Sequence, residues 1–356
     1  MMILVPLLIS AMLAFIAGPL VIAFYKKKKW LDDPSTQSHP KIVHTYPVPR
    51  GGGIVVAVAI LLSIVAFLPL SNQMMGIMVG TVILLLVGIW DDVANPPPLL
   101  RLLFQTFAAL CVVWGGTLIP FITNPFGGIL QLTDWMLVVS PGVTVPIIAI
   151  VFSILWMLWC MNSVNFSTGL DGQMPGYVVI SALTIAALSQ RFILDPSQEQ
   201  VFTLAMIVAG SFVGFLFWNV YPQKMMSGFG ASTIAGFYLA VLSMLSGAKL
   251  ATAILVLAVP MADAVFVIVR RLIKKKSPFY GDRSHFHHAL LDAGLSKPQV
   301  AIVYWSSAAV LGIIALRLNS GQKLFAILLV GSVVCMIAIW LRSLFQQFGR
   351  SGRVSG

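Results

Sequence analysis

The sequence predicts an all-α protein that crosses a membrane many times, and three observations carry that expectation. Of its 356 residues, 59% are hydrophobic and 9% charged, and the mean hydropathy is +0.96, far above the soluble range. Apolar runs long enough to span a bilayer recur from one end to the other. The few ionisable residues gather in the short segments between those runs.

The first run covers 3–25, with Gly18-Pro19 as a kink and Lys26 to Lys29 behind it. No basic residue precedes it and it is long for a signal-peptide core, so a retained span with its N-terminus outside is expected. Further spans are predicted at 52–70, 74–90, 99–121, 143–161, 176–194, 200–221, 230–246, 250–269, 300–318 and 323–344, which makes eleven. They form one transmembrane domain over 1–346, followed by a short basic tail at 347–356. Cys111, Cys160 and Cys335 all fall inside apolar runs, at spacings that suit neither a metal site nor a disulfide framework.

Charge orients the predicted bundle. With the N-terminus outside, segments 26–51, 91–98, 162–175, 222–229, 270–299 and the tail face inward. All of the 22 Lys and Arg residues except Arg191, Lys249, Arg317 and Lys323 then lie on the inner side, as the positive-inside rule requires. The five histidines join them, with every acidic residue except Asp134, Asp195 and Glu199. A transporter would need polar groups on both faces and a midplane site, a pattern this chain lacks. The net charge of +11 suits inner loops near anionic lipid, and no nucleic-acid partner is expected. The expected location is a cell (cytoplasmic) membrane, with the chemistry facing the cytoplasm.

Five inner stretches carry residue types that do chemistry. The first loop ends His44-Thr45-Tyr46-Pro47-Val48-Pro49-Arg50-Gly51-Gly52-Gly53, where glycines free backbone amides beside Arg50 as an anion nest or serve only as flexible punctuation. Asp91-Asp92 closes the third span. Adjacent carboxylates there suit a divalent cation shared with substrate phosphates, one of them acting as general base. A solvated helix end is the plainer reading, but acidic groups oppose the dipole at a helix C-terminus. Pro96-Pro97-Pro98 then stops the helix, and Arg101 opens the next.

The loop after the fifth span holds Asn162, Asn165 and Asp171, residues that read a base or sugar edge and also serve ordinary turns. Asp263 follows Pro260 within the ninth span, where an ionisable group needs a partner or a watery cavity. Gly281-Asp282-Arg283-Ser284-His285-Phe286-His287-His288 places three histidines within four residues. Zinc would need a second ligand pair that this spacing lacks. Phosphate recognition by Arg283, His285, His287 and His288 needs no metal, while a basic loop attracting anionic lipid is the plainer alternative.

In this order, Val48-Pro49-Arg50-Gly51-Gly52, Asp91-Asp92, the Asn-x-x-Asn-x-x-x-Gly-x-Asp-Gly run at 162–172, Pro260-Met261-Ala262-Asp263 and the histidine loop resemble the polyprenyl-phosphate N-acetylhexosamine-1-phosphate transferases. The Asp-Arg lead-in to the histidines resembles the bacterial branch that uses UDP-N-acetylglucosamine and undecaprenyl phosphate. The resemblance implies that a lipid phosphate attacks the β-phosphate of a UDP-amino sugar, releasing UMP and starting a lipid-linked envelope glycan such as that of lipopolysaccharide. It implies Mg²⁺ as cofactor, with Mn²⁺ as an alternative, and it allows a homodimer. By resemblance, Asp91 and Asp92 are catalytic, and Asp91, Asp92 and Asp171 hold the metal. Arg50, Arg101, Asn162, Asn165, Asp171, Asp263, Arg283 and the three histidines bind substrate.

Three positions depart from the family pattern. Thr168 and Phe229 stand where the family carries Asp, and Leu99 stands where it commonly has Lys, with Arg101 nearby. The alternatives are therefore a homologue that binds lipid carrier or nucleotide-sugar without turnover, or an enzyme of the phospho-N-acetylmuramoyl-pentapeptide-transferase type.

Overall fold

The computed structural model describes residues 2–35, 44–124, 127–192, 194–247, 249–277 and 284–351. Helices stand at every predicted position: α1 (Val5–Lys28), α2 (Gly52–Phe67), α3 (Asn72–Ala94), α4 (Pro98–Trp114), α5 (Ile147–Ser167), α6 (Gln173–Ser189), α7 (Pro196–Asn219) and α8 (Gly228–Leu245). They continue with α9 (Leu250–Val256), α10 (Ala258–Ile273), the short α11 (Phe286–Asp292), α12 (Lys297–Arg317) and α13 (Ser320–Ser351). Among the described residues α1, α3, α5, α7, α8 and α12 are long and apolar enough to cross a membrane. A seventh crossing arises if α9 and α10 form one broken span. α2, α4 and the 321–337 part of α13 are apolar but shorter, and a 17-residue helix such as α4 reaches only about 25 Å at 1.5 Å per residue.

Two sequence expectations change. The ninth span, expected as one helix over 250–269, bends by 80° between α9 and α10. Pro260 sits in the first turn of α10, where it supplies no amide to continue the hydrogen-bond ladder from α9. The break is buried against protein, since Leu255, Val256, Leu257 and Ala258 are all covered, which is how a bilayer tolerates irregular backbone. The all-α expectation also omits short antiparallel pairs. β1 (Leu31–Asp32) pairs with β2 (Val48–Pro49), β3 (Phe121–Thr123) with β4 (Ile129–Gln131), and β5 (Met136–Ser140) with β6 (Val143–Pro146). β6 occupies the first residues of the expected fifth span, so α5 begins at Ile147.

The bundle is built around α8, which is buried from Phe229 to Met244 and packs against α2, α3, α5 and α7. By contrast α1 leaves Leu8, Met12, Phe15, Ile16 and Leu20 exposed, a lipid-facing stripe in a membrane protein. Without a hydrophobic drive between helices in lipid, close packing relies on small residues. Gly210 and Gly214 of α7 provide it against α1, where an added Cβ would meet the Leu7 and Ala11 carbonyls. Gly53, Gly88 and Gly230 bring α2, α3 and α8 together. That second contact fixes the start of α8 beside the last turns of α3, where Asp91 and Asp92 lie.

Candidate active site

One cavity of about 600 Å³ opens where the ends of α3, α5 and α10 meet the starts of α4, α8 and α11. α3 stops because Asn95 adopts a left-handed conformation, φ 44°, and the proline run follows. Asp91 and Asp92, adjacent in its last turn, diverge by about 100° around the axis. Asp91 Oδ1 accepts from Arg101 Nη1 at 2.7 Å. Asp92 Oδ2 accepts from Tyr25 Oη of α1 at 2.8 Å. Its other oxygen, Oδ1, is buried without a hydrogen-bond partner among the described residues. The backbone passes this oxygen at Gly228, φ 62°, where a Cβ would sit 2.9 Å from Oδ1 and 2.7 Å from the Arg50 carbonyl. A side chain at 228 would therefore meet both strain and collision.

Phe229, the next residue, lines the cavity with its ring 5.3 Å from the Arg101 guanidinium carbon, a cation–π distance. One turn on, Ser232 Oγ donates to Asn165 Oδ1 at 2.8 Å and tethers the end of α5 to α8. Asn162 Nδ2 donates to Gln105 Oε1 at 2.9 Å and joins α5 to α4. Thr168 Oγ1 donates to the Val164 carbonyl at 2.7 Å, so this hydroxyl caps its own helix while lining the cavity.

The histidines form the opposite wall. Asp263 is buried, accepting from the Phe286 amide at 2.7 Å and pairing with His285 Nδ1 at 3.0 Å. Arg271 Nη2 approaches His285 Nε2 at 3.5 Å. A guanidinium only donates, so Nε2 accepts and Nδ1 carries the proton given to Asp263. His287 stacks on His285 with ring centres 5.6 Å apart, and His288 lies 4.3 Å from His287. All three are buried and line the cavity. Gly169 makes room for this wall, since a Cβ there would lie 2.4 Å from His287 Nε2.

The first inner loop supplies the roof. Arg50 Nε and Nη2 donate to Asp32 Oδ2 at 3.0 and 2.5 Å, and His44 Nε2 lies 3.3 Å from the Asp32 carbonyl. Nearby, Tyr46 Oη donates to the Gln223 carbonyl at 2.9 Å. Burial, then the charge of Asp171 and the ring of Tyr221, push the Tyr46 phenol above its ordinary range.

The cavity thus gathers Arg50, Asp91, Asp92, Arg101, Asn162, Asn165, His285, His287 and His288 from the sequence-predicted set. Two members stand outside it. Asp171 accepts from the Gln223 amide at 3.2 Å and pairs with Lys297 at 3.4 Å, fully buried beneath the loop. Among the described residues it does not share the cavity lining with Asp91 and Asp92, the carboxylates it was expected to join, and its oxygens instead face the Gln223 amide and Lys297 of α12. Asp263 lies behind His285 rather than in the cavity lining, with its carboxylate held against that imidazole and the Phe286 amide. Arg283 lies outside the described residues. Tyr25, Asp32, His44 and Arg271 were absent from the predicted set. Tyr25 and Arg271 had a sequence signal, as polar-tipped residues at the inner ends of apolar runs.

Among the described residues no three His, Cys, Asp or Glu side chains converge as a metal site. A fully protein-built cage is therefore absent there. A hard cation such as Mg²⁺ needs less, one or two carboxylates with substrate phosphates and water completing the shell. The buried, unpartnered Asp92 Oδ1 is a donor of that kind.

The model of glycosyl transferase family 4 matches residues 74–247, from α3 through α8. Over 344 residues the chain is 28% identical to the "probable undecaprenyl-phosphate N-acetylglucosaminyl 1-phosphate transferase" of Bacillus subtilis, covering 95% of this chain and 90% of the relative. These matches make the chain similar to the polyprenyl-phosphate N-acetylhexosamine-1-phosphate transferases. The undecaprenyl-phosphate alpha-N-acetylglucosaminyl 1-phosphate transferase of Thermotoga maritima is 26% identical over 339 residues, covering 95% of this chain and 97% of its own. A phospho-N-acetylmuramoyl-pentapeptide-transferase of Borrelia hermsii is 29% identical over 333 residues, with 86% of this chain and 91% of the relative covered.

Proposed function

We propose that this chain transfers N-acetylglucosamine-1-phosphate from its UDP-sugar to undecaprenyl phosphate. An oxygen of the lipid phosphate bonds to the β-phosphorus, the bond from that phosphorus to the oxygen bridging it to UMP breaks, and UMP leaves with both electrons. The carrying observation is the pairing within one cavity of an unpartnered carboxylate oxygen on Asp92 with a wall of three histidines and Arg271. The carboxylate removes the proton of a singly protonated lipid phosphate or orients its attacking oxygen. Arg271, Arg50 and the imidazoles hold the diphosphate and spread its charge as the bond to UMP lengthens. Mg²⁺, or Mn²⁺ in its place, would sit on Asp92 and the substrate phosphates and neutralise charge on the transferring group.

Two branch readings compete on the sugar. The greater share of this chain covered by the N-acetylglucosaminyl relatives, 95% against 86%, favours N-acetylglucosamine over N-acetylmuramoyl-pentapeptide. We also propose that all eleven helical segments span the membrane, the cavity end lying on the cytoplasmic side where the basic residues collect. The test is UMP formation by the purified chain with undecaprenyl phosphate, Mg²⁺ and each UDP-sugar in turn. Turnover with UDP-N-acetylglucosamine supports the reading; turnover with the pentapeptide substrate alone transfers the chain to the other branch. A second reading rests on the Phe229 ring packed on Arg101, an apolar surface in the carboxylate half. It predicts binding of nucleotide-sugar with no UMP formed from any substrate.

A further inference from the structure

A second charged neighbourhood lies at the opposite end of the bundle. α6, α8 and α12 all begin at the cavity end, at Gln173, Gly228 and Lys297, so their far ends meet around residues 190–192, 246–250 and 316–323. Lys323 is buried there and its Nζ donates to Thr252 Oγ1 at 2.9 Å. Lys249 Nζ lies 3.1 Å from the centre of the Phe192 ring. Arg191 Nη1 donates to the Leu316 carbonyl. Among the described residues none of these three cations has an ion-pair partner.

The acidic groups nearest in sequence do not meet that need. Asp195 Oδ1 is taken by the Ser197 amide at 2.9 Å, where it caps α7, and Glu199 is exposed in the first turn of that helix. Burial, and then the charges of Lys323 and Arg191, push the Lys249 ammonium below its ordinary range, so the cations feel one another. Like charges drawn into a partly desolvated spot raise the free energy of the fold unless an anion joins them.

We propose that Arg191, Lys249 and Lys323 form a binding site for a phosphate-bearing anion, separate from the catalytic cavity. Lys323 stands near the start of an apolar helix, at the depth of a membrane surface, so the phosphodiester of an anionic phospholipid fits best. Free phosphate shares the chemistry. Bound there, the anion would tie the ends of α6, α9, α12 and α13 together.

The experiment is native mass spectrometry, with thermal melting, of the full chain in neutral detergent. It is titrated separately with phosphatidylglycerol, phosphatidylcholine and inorganic phosphate. The comparison is the double variant Arg191→Gln/Lys249→Gln, which leaves the buried Lys323 in place. The expected result is one phosphatidylglycerol retained by the wild type and lost from the variant, with loss of its stabilising shift. The same loss seen with inorganic phosphate instead assigns the site to free phosphate. Equal adducts and equal shifts in the two proteins, for every probe, would overturn the proposal. Unchanged melting of the lipid-free variant is the control for folding, so the outcome does not depend on the catalytic reading.

Discussion

The two walls of the cavity are built differently. On the histidine wall Asp263 fixes both the His285 ring and the Phe286 amide from behind, and the three rings stack in sequence. On the carboxylate wall Asp91 is tied to Arg101 and one oxygen of Asp92 to Tyr25, while Asp92 Oδ1 is left without a hydrogen-bond partner where the backbone passes at Gly228. A preorganised wall suits an anion that must be held in one pose. A wall with an open oxygen suits a group that arrives with the substrate, a proton or a cation. The difference separates binding from chemistry, and substitutions on each side should have different signatures.

The largest effect is expected on the open side. Asp92→Asn removes the charge but keeps the shape, and kcat for UMP formation should fall by about 10²–10⁴-fold with UDP-sugar affinity retained. Stopped turnover with unchanged binding would confirm that the two walls divide the work. Next, Asp263→Ala should act as a stability and binding lesion. It leaves the buried His285 ring and the Phe286 amide without an acceptor, at about 1–3 kcal/mol for each unsatisfied group. Tm should drop and KM for the UDP-sugar should rise. A loss confined to kcat would contradict the assignment of Asp263 as a positioning residue.

Two smaller changes sharpen the open wall. Tyr25→Phe deletes the hydroxyl that aims Asp92, and kcat should fall about tenfold, equivalent to ~1.4 kcal/mol in the barrier. Phe229→Asp adds a carboxylate close to Arg101. The Mg²⁺ concentration giving half-maximal rate should then fall, as read from a metal titration of UMP release. No change in metal dependence would mean that position 229 faces away from the cation.

Most of the architecture is legible in the sequence because membrane-length apolar runs leave little ambiguity about where helices lie. Charge asymmetry also collects the reactive residues at one end, and the cavity does gather Arg50, Asp91, Asp92, Arg101, Asn165 and the histidines. What hydropathy does not reveal is pairing between distant segments. Tyr25 reads as the end of an apolar run, yet α1 packs on α2 and α7 and the Tyr25 hydroxyl donates to Asp92 of α3. Asp263 reads as an isolated charge in a span until the 80° bend of α9 and α10 accompanies its pairing with His285. Asp171 sits in a run of site-like residues, yet its partner Lys297 lies 126 positions away and draws it under the loop. The β5–β6 hairpin went unseen because Met136–Ser140 and Val143–Pro146 are as apolar as a helix start.

The most direct test of the account is a product balance with wild-type and Asp92→Asn protein in the same membrane mimetic. UMP and sugar-diphospho-lipid are counted after incubation with undecaprenyl phosphate, UDP-N-acetylglucosamine and Mg²⁺. The account predicts equal amounts of the two products from the wild type and almost none from the variant, which still binds the nucleotide-sugar. Equal turnover by both proteins, or no lipid-linked product from the wild type, would contradict it.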